Sequence, residues 1–415
     1  MERYKKLYEK KMPRASIGRY KKERIVYRYK DVHMDLNVAH LLWLQSGGGC
    51  DTAEIWAATS QMKKQNKESW NREFAALAGR IDKLASDSLA KGHRVSAREA
   101  FFRASTYYGF SGKREKQVEC FQAAGRLLDL PMEPVKIPFE GKYLPGYFIK
   151  AAHNNQKRKT LIFIGGGDTI LEELYFLIGP AGVRRNYNLF IVEMPGQGAT
   201  NLEGMVMRPD TEVPMKVIVD YVLDRTDVDP EKLAAMGLSW GGYMVPRAAC
   251  YEKRLKAIVA NSIILDGNIW MTEISPFGII AKLEDTILFP IIKMFFGATM
   301  MPRLEMLKRK WGARDMKHFV EINKSFFLDP RLIECPALLL DGENEISYSR
   351  GVEIMQETAL EAISHPVKKR ITGPKELGAG GHCQVANANF MHQVTFDWLD
   401  EVFEETVVNN EARAI

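Results

Sequence analysis

A serine with a glycine two residues away on either side stands at Gly237-Leu238-Ser239-Trp240-Gly241. The pentapeptide is short enough to arise by chance, and its setting is what makes it informative. It follows the apolar run KLAAMGL (232–238) and opens a helical period at 241–252. A strand-to-helix turn of this kind lifts a serine hydroxyl above the end of a sheet as a nucleophile. A hydroxyl is a weak nucleophile near neutral pH, so it needs a base and a carboxylate to orient that base. Of eight histidines, His382 alone lies late in the chain in a glycine-rich loop, GAGGHCQ, between a strand and the last helix. His392, on that helix, is expected to cap or pack.

The carboxylate is expected after the apolar run PALLLDG (336–342), which leaves Asp341, Glu343 and Glu345. Asp341 should still be on the strand, whereas Glu345, three residues past Gly342, sits where a turn off the strand end aims it at His382. Glu345 is the expected acid and Asp341 the alternative. An oxyanion needs two convergent donors. One is expected from the backbone N–H of Trp240, the other from Gly165-Gly166-Gly167, with Gly167 preferred to Gly166. Thr169-Ile170-Leu171-Glu172 reads as a capping box for the next helix, and Pro195-Gly196-Gln197-Gly198 as a turn shaping the pocket floor. Asp266 and Glu273 are expected either to line the pocket or to be solvated loop carboxylates. The chain has no G-x-x-x-x-G-K-[ST], no G-x-G-x-x-G after a strand and no histidine pair at helical spacing, so the expected chemistry uses neither cofactor nor metal.

Residues with these roles have to be brought together by the elements around them. From about residue 35 to 130 apolar residues recur at three and four spacing, which predicts several packed helices. At Pro131 the character changes. VKIPFEGKYLPGYFIKA alternates apolar and polar residues around Glu140-Gly141-Lys142, the pattern of a β-hairpin. Short apolar strands at 160–165, 188–194, 232–238, 255–264, 336–342 and 368–373 then alternate with helical periods at 170–178, 212–224, 241–252, 349–364 and 389–408. Such alternation predicts a mostly parallel sheet covered on both faces. It lapses between 266 and 330, where a Met- and Phe-rich helical insertion is expected to cap one end of the sheet. The expected division is a helical unit at 1–130 with a basic N-terminal arm, and a catalytic unit at 131–415 that carries the cap.

The chain is 415 residues long with 46% hydrophobic and 27% charged residues, enough for a sizeable core and too apolar for disorder throughout. No stretch approaches the roughly 20 apolar residues of a membrane span, and the N-terminus lacks the apolar core of a secretory signal, so a soluble, cytoplasmic protein is expected. Five cysteines, far apart and without C-x-x-C, read as reduced thiols. Of the net charge of +6, residues 1–30 hold 12 basic and 3 acidic side chains, leaving 46 basic and 49 acidic elsewhere. The basicity belongs to an arm, read as a solvated tail, and no nucleic-acid partner is expected.

The helical N-terminal region, GGGDT with EEL following, PGQG, GLSWGGY and GAGGHCQ together resemble one subgroup of the α/β-hydrolases. That subgroup includes bacterial 2,6-dihydroxypseudooxynicotine hydrolase and fungal hydrolases that shorten polyketide pigment precursors. The resemblance runs over about residues 35–405. It implies the α/β-hydrolase fold, a triad of Ser239, an acid and His382, and a homodimer involving the N-terminal helices. It also implies hydrolysis of a carbon–carbon bond beside a ketone of a small polyketide-like molecule. One departure stands out: the family acid is usually Asp, and here the corresponding place holds Glu345. Similar proteins promote ring closure, and the same apparatus permits ester or thioester hydrolysis, so these readings stand beside the first, as does a non-catalytic binding protein.

Overall fold

The structure, a computed structural model, describes residues 25–62, 66–130, 132–154, 156–271, 281–284, 286, 289–348 and 350–413. Most of the basic arm, the change-over residue Pro131 and Glu273 lie outside them.

Among the described residues the first five α-helices are α1 (Val32–Leu44), α2 (Thr52–Ser60), α3 (Lys67–Ala90), α4 (Arg94–Phe110) and α5 (Arg114–Arg126). Their starts follow from local chemistry. Asp31 accepts the N–H of Met34 at the head of α1, and Asp51 those of Ala53 and Glu54 at the head of α2.

The hairpin forms where the alternation places it. β1 (Glu133–Phe139) and β2 (Lys142–Ile149) pair antiparallel, with Phe139 opposite Lys142. Glu140 and Gly141 between them both have positive φ, 47° and 74°, as a two-residue turn matched to strand twist requires. The sheet continues with β3 (Arg158–Ile164), β4 (Asn188–Val192), β5 (Val228–Leu238), β6 (Ala257–Asn261), β7 (Ala337–Gly342) and β8 (Lys368–Gly373). Its spatial order is β1-β2-β4-β3-β5-β6-β7-β8, antiparallel as far as β4 and parallel beyond. This is the α/β-hydrolase fold.

Every residue of β4, β6 and β7 is buried, because helices cover both faces and leave no polar side. The period-2 alternation of β3 divides the core. Leu161 and Phe163 face one apolar cluster and Ile162 and Ile164 the other. The first cluster is shared with the N-terminal helices, so the apolar core is continuous from them to the sheet. Phe102 of α4 stacks on Tyr175 at 4.9 Å, and Phe121 of α5 meets Tyr147 of β2 at 5.1 Å. Tyr175 belongs to α6 (Leu171–Arg184). The second cluster holds α7 (Glu212–Leu223), α8 (Gly241–Ala249) and the described parts of the insertion after β6, chiefly α9 (Phe289–Trp311) and α10 (Met316–Asn323). Beyond β7 come α11 (Glu343–Tyr348), α12 (Arg350–Ala362) and, after β8, α13 (Ala388–Arg413). Among the described residues no helix is long and apolar enough to cross a membrane.

Among the described residues an ion pair also ties the two regions. Arg114, at the start of α5, binds Glu172 of α6 through both guanidinium nitrogens, and Glu172 is 2% exposed. Arg114→Met would strand that carboxylate. It is expected to lower stability in urea unfolding by about 3 kcal/mol, the low end for a broken buried pair because Arg114 keeps some solvent contact. Adding Glu172→Leu is expected to recover most of the loss.

Candidate active site

Ser239 sits between β5 and α8 with φ of 54°, a left-handed conformation that few non-glycine residues adopt without being held there. Two backbone bonds hold it: its N–H donates to the Asn261 carbonyl at 2.5 Å, and its carbonyl accepts the Gly242 N–H at 2.7 Å. The turn leaves no room for side chains. A Cβ at Gly242 would stand 1.9 Å from the Ser262 carbonyl oxygen.

The structure brings the three residues singled out in the sequence together. His382 Nε2 lies 2.9 Å from Ser239 Oγ, and its Nδ1 lies 2.6 Å from Glu345 Oε1. Glu345, on α11, is 1% exposed, and Ser262 donates its hydroxyl to the carboxylate at 2.8–2.9 Å. Asp341 is on β7, as expected of it, and turns elsewhere: its carboxylate binds Arg370 Nε at 2.6 Å. Glu343 pairs with Lys375 at 3.1 Å.

The loop that carries His382 is fastened to two strand ends. Gln384 donates to the Asp341 carbonyl at 2.9 Å and accepts from Asn261 Nδ2 at 2.7 Å. The Cys383 thiol donates to the Asn261 carbonyl at 3.1 Å. In return the Gly380 carbonyl accepts the N–H groups of Asn344 and Glu345. Burial works against the protonated imidazole of His382, but Cys383 and the Glu345 carboxylate outweigh it and hold the ring well above its ordinary pKa.

The two expected oxyanion donors are free for a ligand. Among the described residues neither the Trp240 N–H nor the Gly167 N–H meets a protein acceptor. Gly166 faces the nucleophile, where a Cβ would stand 2.9 Å from Ser239 Cβ. Gln197 donates to the carbonyls of Gly165 and Gly166 at 2.7 and 2.8 Å. In a trans peptide the N–H points opposite to the carbonyl, so binding the Gly166 carbonyl turns the Gly167 N–H the other way. The PGQG turn thus does more than shape a floor, because its glutamine orients the glycine loop.

Two expectations need correction. Thr169 to Glu172 is not a capping box: Thr169 Oγ1 donates to the Gly166 carbonyl, Glu172 is taken by Arg114, and the Leu171 N–H at the head of α6 is accepted by Glu193. A nearby buried carboxylate displaced the local motif. Asp266 is not a solvated loop carboxylate. It is buried and caps a short helix by accepting the Ile269 N–H at 2.9 Å. Glu273 lies outside the described residues. His392 packs as expected, its Nε2 2.5 Å from the Leu177 carbonyl, and burial draws its pKa down to about 4.

Sequence reasoning missed Ser262, Gln197, Lys310 and His40. Ser262 follows β6 at its carboxyl end, where open α/β sheets gather functional groups, and that position was the available signal. Lys310, at the end of α9, is buried and binds the Gly167 carbonyl. His40, on α1, is close enough to Asp168 and His382 to feel both charges, and burial draws its pKa down to about 4. A cleft runs from His382 to α1, lined by Val32, Leu36, Ala39 and Val385. Trp270 stands 6.0 Å from the His382 ring. Among the described residues no three His, Cys, Asp or Glu side chains are grouped to hold a metal ion. Chemically, the arrangement offers an activated hydroxyl, a base with an oriented proton and two amides for a developing oxyanion.

Comparison with known proteins agrees with the fold. Residues 215–283 match the prolyl oligopeptidase family. The chain is 33% identical over 249 residues to the α/β hydrolase xenA of Xenoacremonium sinensis, a match covering 54% of this chain and 58% of that protein. It therefore spans less than two thirds of that relative's length. It is 28% identical to hydrolase ORFZ of Pyricularia oryzae, across 90% of this chain and 97% of that one. The crystal structure of 2,6-dihydroxy-pseudo-oxynicotine hydrolase superposes with a TM-score of 0.68 at 20% identity, covering 88% of this chain and 96% of that one. The chain has the α/β-hydrolase fold, is similar in sequence to fungal α/β hydrolases, and is similar in fold to that enzyme.

A pKa held up in the folded chain means that protonation favours folding. For His382 that contribution is complete below about 6.5, the unfolded value, and is lost as the pH rises through the folded value. Glu345→Gln removes a group that holds it up, so the His382 titration, followed by NMR of ring-labelled histidine, is expected to move to lower pH. Asp341→Asn is expected to move it much less. A larger shift from Asp341→Asn would transfer the orienting role to Asp341.

Proposed function

We propose that this chain is a serine-dependent hydrolase that cleaves the carbon–carbon bond beside a ketone, in a polyketide-type 1,3-dicarbonyl or an aryl ketone. It would act in the cytoplasm, in secondary metabolism of the pigment-forming kind. The observation that carries the reading is the relay from Glu345 through His382 to Ser239, at 2.6 and 2.9 Å, beside the Trp240 and Gly167 amides, which meet no acceptor among the described residues. The choice of bond rests on the resemblance carried by GLSWGGY and GAGGHCQ.

His382 takes the Ser239 proton as the hydroxyl oxygen adds to the ketone, and Glu345 stabilises the imidazolium. The amides of Trp240 and Gly167 hold the oxyanion, an interaction worth about 10²–10³ in rate per donor. Collapse breaks the carbon–carbon bond, and the electron pair leaves as an enolate or as an electron-rich aryl carbon. His382 gives its proton to that carbon, and water then cleaves the acyl-Ser239 with His382 again as base. A carbon leaving group departs less readily than an alkoxide, so the placement of the proton donor matters more here than in an ester hydrolase.

We also propose a homodimer through the N-terminal helices. Support comes from the resemblance, and Leu84 near the end of α3 and Val95 at the start of α4, each 56% exposed, are the apolar side chains that such a contact would cover.

Ser239→Ala and His382→Ala are each expected to lower turnover by on the order of 10⁴-fold or more, and the double variant to be hardly worse than either, because the residues act as one unit. A fluorophosphonate should label Ser239. A 1,3-diketone hydrolysed in deuterium oxide should give a carboxylic acid and a shortened ketone carrying deuterium on the cleaved carbon. Rapid ester turnover without attack on diketones would favour a carboxylesterase or thioesterase, and a product isomeric with the substrate would mean ring closure. Light scattering of the full chain should give a dimer, and Leu84→Asp with Val95→Asp a monomer.

A further inference from the structure

Lys310 is a cation in a place that ordinarily excludes one. It is 7% exposed, yet an ammonium has three N–H donors to satisfy. Among the described residues its Nζ meets one hydrogen-bond acceptor, the Gly167 carbonyl, while the Asp168 carboxylate stands 3.9 Å away. Burial draws its pKa down, and Asp168 and Glu193 act against that. The lysine is not a loose surface side chain. Its carbonyl accepts the Met207 N–H at 2.8 Å, and the preceding Arg309 binds Asn201 at 3.0 Å. The next residue, Trp311, packs edge-on against Trp240 with ring centroids 5.0 Å apart. The end of α9 thus touches both residues that carry the free amides, Trp240 through Trp311 and Gly167 through Lys310.

We propose that Lys310 binds a second, enolisable carbonyl oxygen of the substrate, which makes the site selective for 1,3-dicarbonyl compounds over simple esters. This rests on the carbon–carbon reading above. In O=C–C–C=O, Ser239 adds to the first carbonyl, whose oxygen becomes the oxyanion at Trp240 and Gly167. When the bond to the central carbon breaks, its electron pair passes into the second carbonyl, and the negative charge gathers on that oxygen beside the ammonium. The proton that His382 took from Ser239 then goes to the central carbon. Lys310 keeps its own proton throughout. An ester develops no second charge at that position, so the charge of the buried ammonium assists the diketone more than the ester.

Lys310→Met keeps most of the unbranched side chain and removes the charge. The kcat/KM of the full-length protein is measured on benzoylacetone and on p-nitrophenyl acetate, with fluorophosphonate labelling of Ser239 reporting an intact site. The ratio of diketone to ester is expected to fall about 10²-fold, the size of losing one preorganised donor to a developing charge. A second readout needs no turnover: benzoylacetone bound to Ser239→Ala protein is titrated by its enolate absorption. The bound diketone should ionise at a pH lower by about one unit or more than in the Ser239→Ala, Lys310→Met protein. Equal losses on both substrates, with no difference in the enolate titration, overturn the proposal. A wild-type protein that leaves benzoylacetone intact while the enolate titration still depends on Lys310 overturns the carbon–carbon reading and keeps Lys310 as an enolate-binding group.

Discussion

The site depends on one backbone hydrogen bond, from the Ser239 N–H to the Asn261 carbonyl at 2.5 Å. A serine with φ of 54° relaxes unless its amide is held, and holding it to the end of β6 draws two neighbouring strand ends together. The glycines around it make that approach possible, because the Ser262 carbonyl occupies the space a Cβ on Gly242 would need. Once β5 and β6 end side by side, Ser262 is beside the nucleophile and its hydroxyl reaches the Glu345 carboxylate.

The remaining two members of the relay are held the same way, by groups on other strand ends. Gln384 spans the end of β6 and the end of β7, and the Gly380 carbonyl takes the amides that start α11. The histidine loop therefore cannot move without disturbing the acid, and the acid cannot move without disturbing the residue after β6. Mutual fastening of this sort places three side chains from three distant segments within hydrogen-bond range without any being rigid alone. Glu345 stands on the first turn of α11, past the end of β7, and its longer side chain reaches back to the ring while Asp341 stays committed to Arg370.

Two further elements close the site from outside the sheet. The first helix lines the cleft that leads to His382 and brings His40 within electrostatic reach of it. The end of α9 presses Trp311 on Trp240 and Lys310 on Gly167. The glycine loop is thus held by Gln197 and by Lys310 of α9. Such preorganisation lets an amide stabilise charge without moving at the moment of reaction.

What the chain's sequence determined by itself was whatever depends on local period and local turn chemistry. Alternation around Glu140-Gly141 specified the hairpin, apolar runs specified the parallel strands, and Gly-x-Ser-x-Gly between a strand and a helix marked the turn that carries Ser239. The chain order of Ser239, Glu345 and His382 was legible for the same reason, since each stands just past the end of a strand. Contacts between segments far apart in the chain were not legible. Glu172 fitted a capping box until Arg114, 58 residues earlier, took it, and Asp266 read as a loop carboxylate because nothing local showed that it would be buried. Lys310, in a run of basic residues, carried no local sign of burial and is covered only because the end of α9 lies against the glycine loop. Period and turn propensity are properties of a few neighbouring residues, whereas burial and partner choice depend on which distant segments arrive at the same place, and only the tertiary structure decides that.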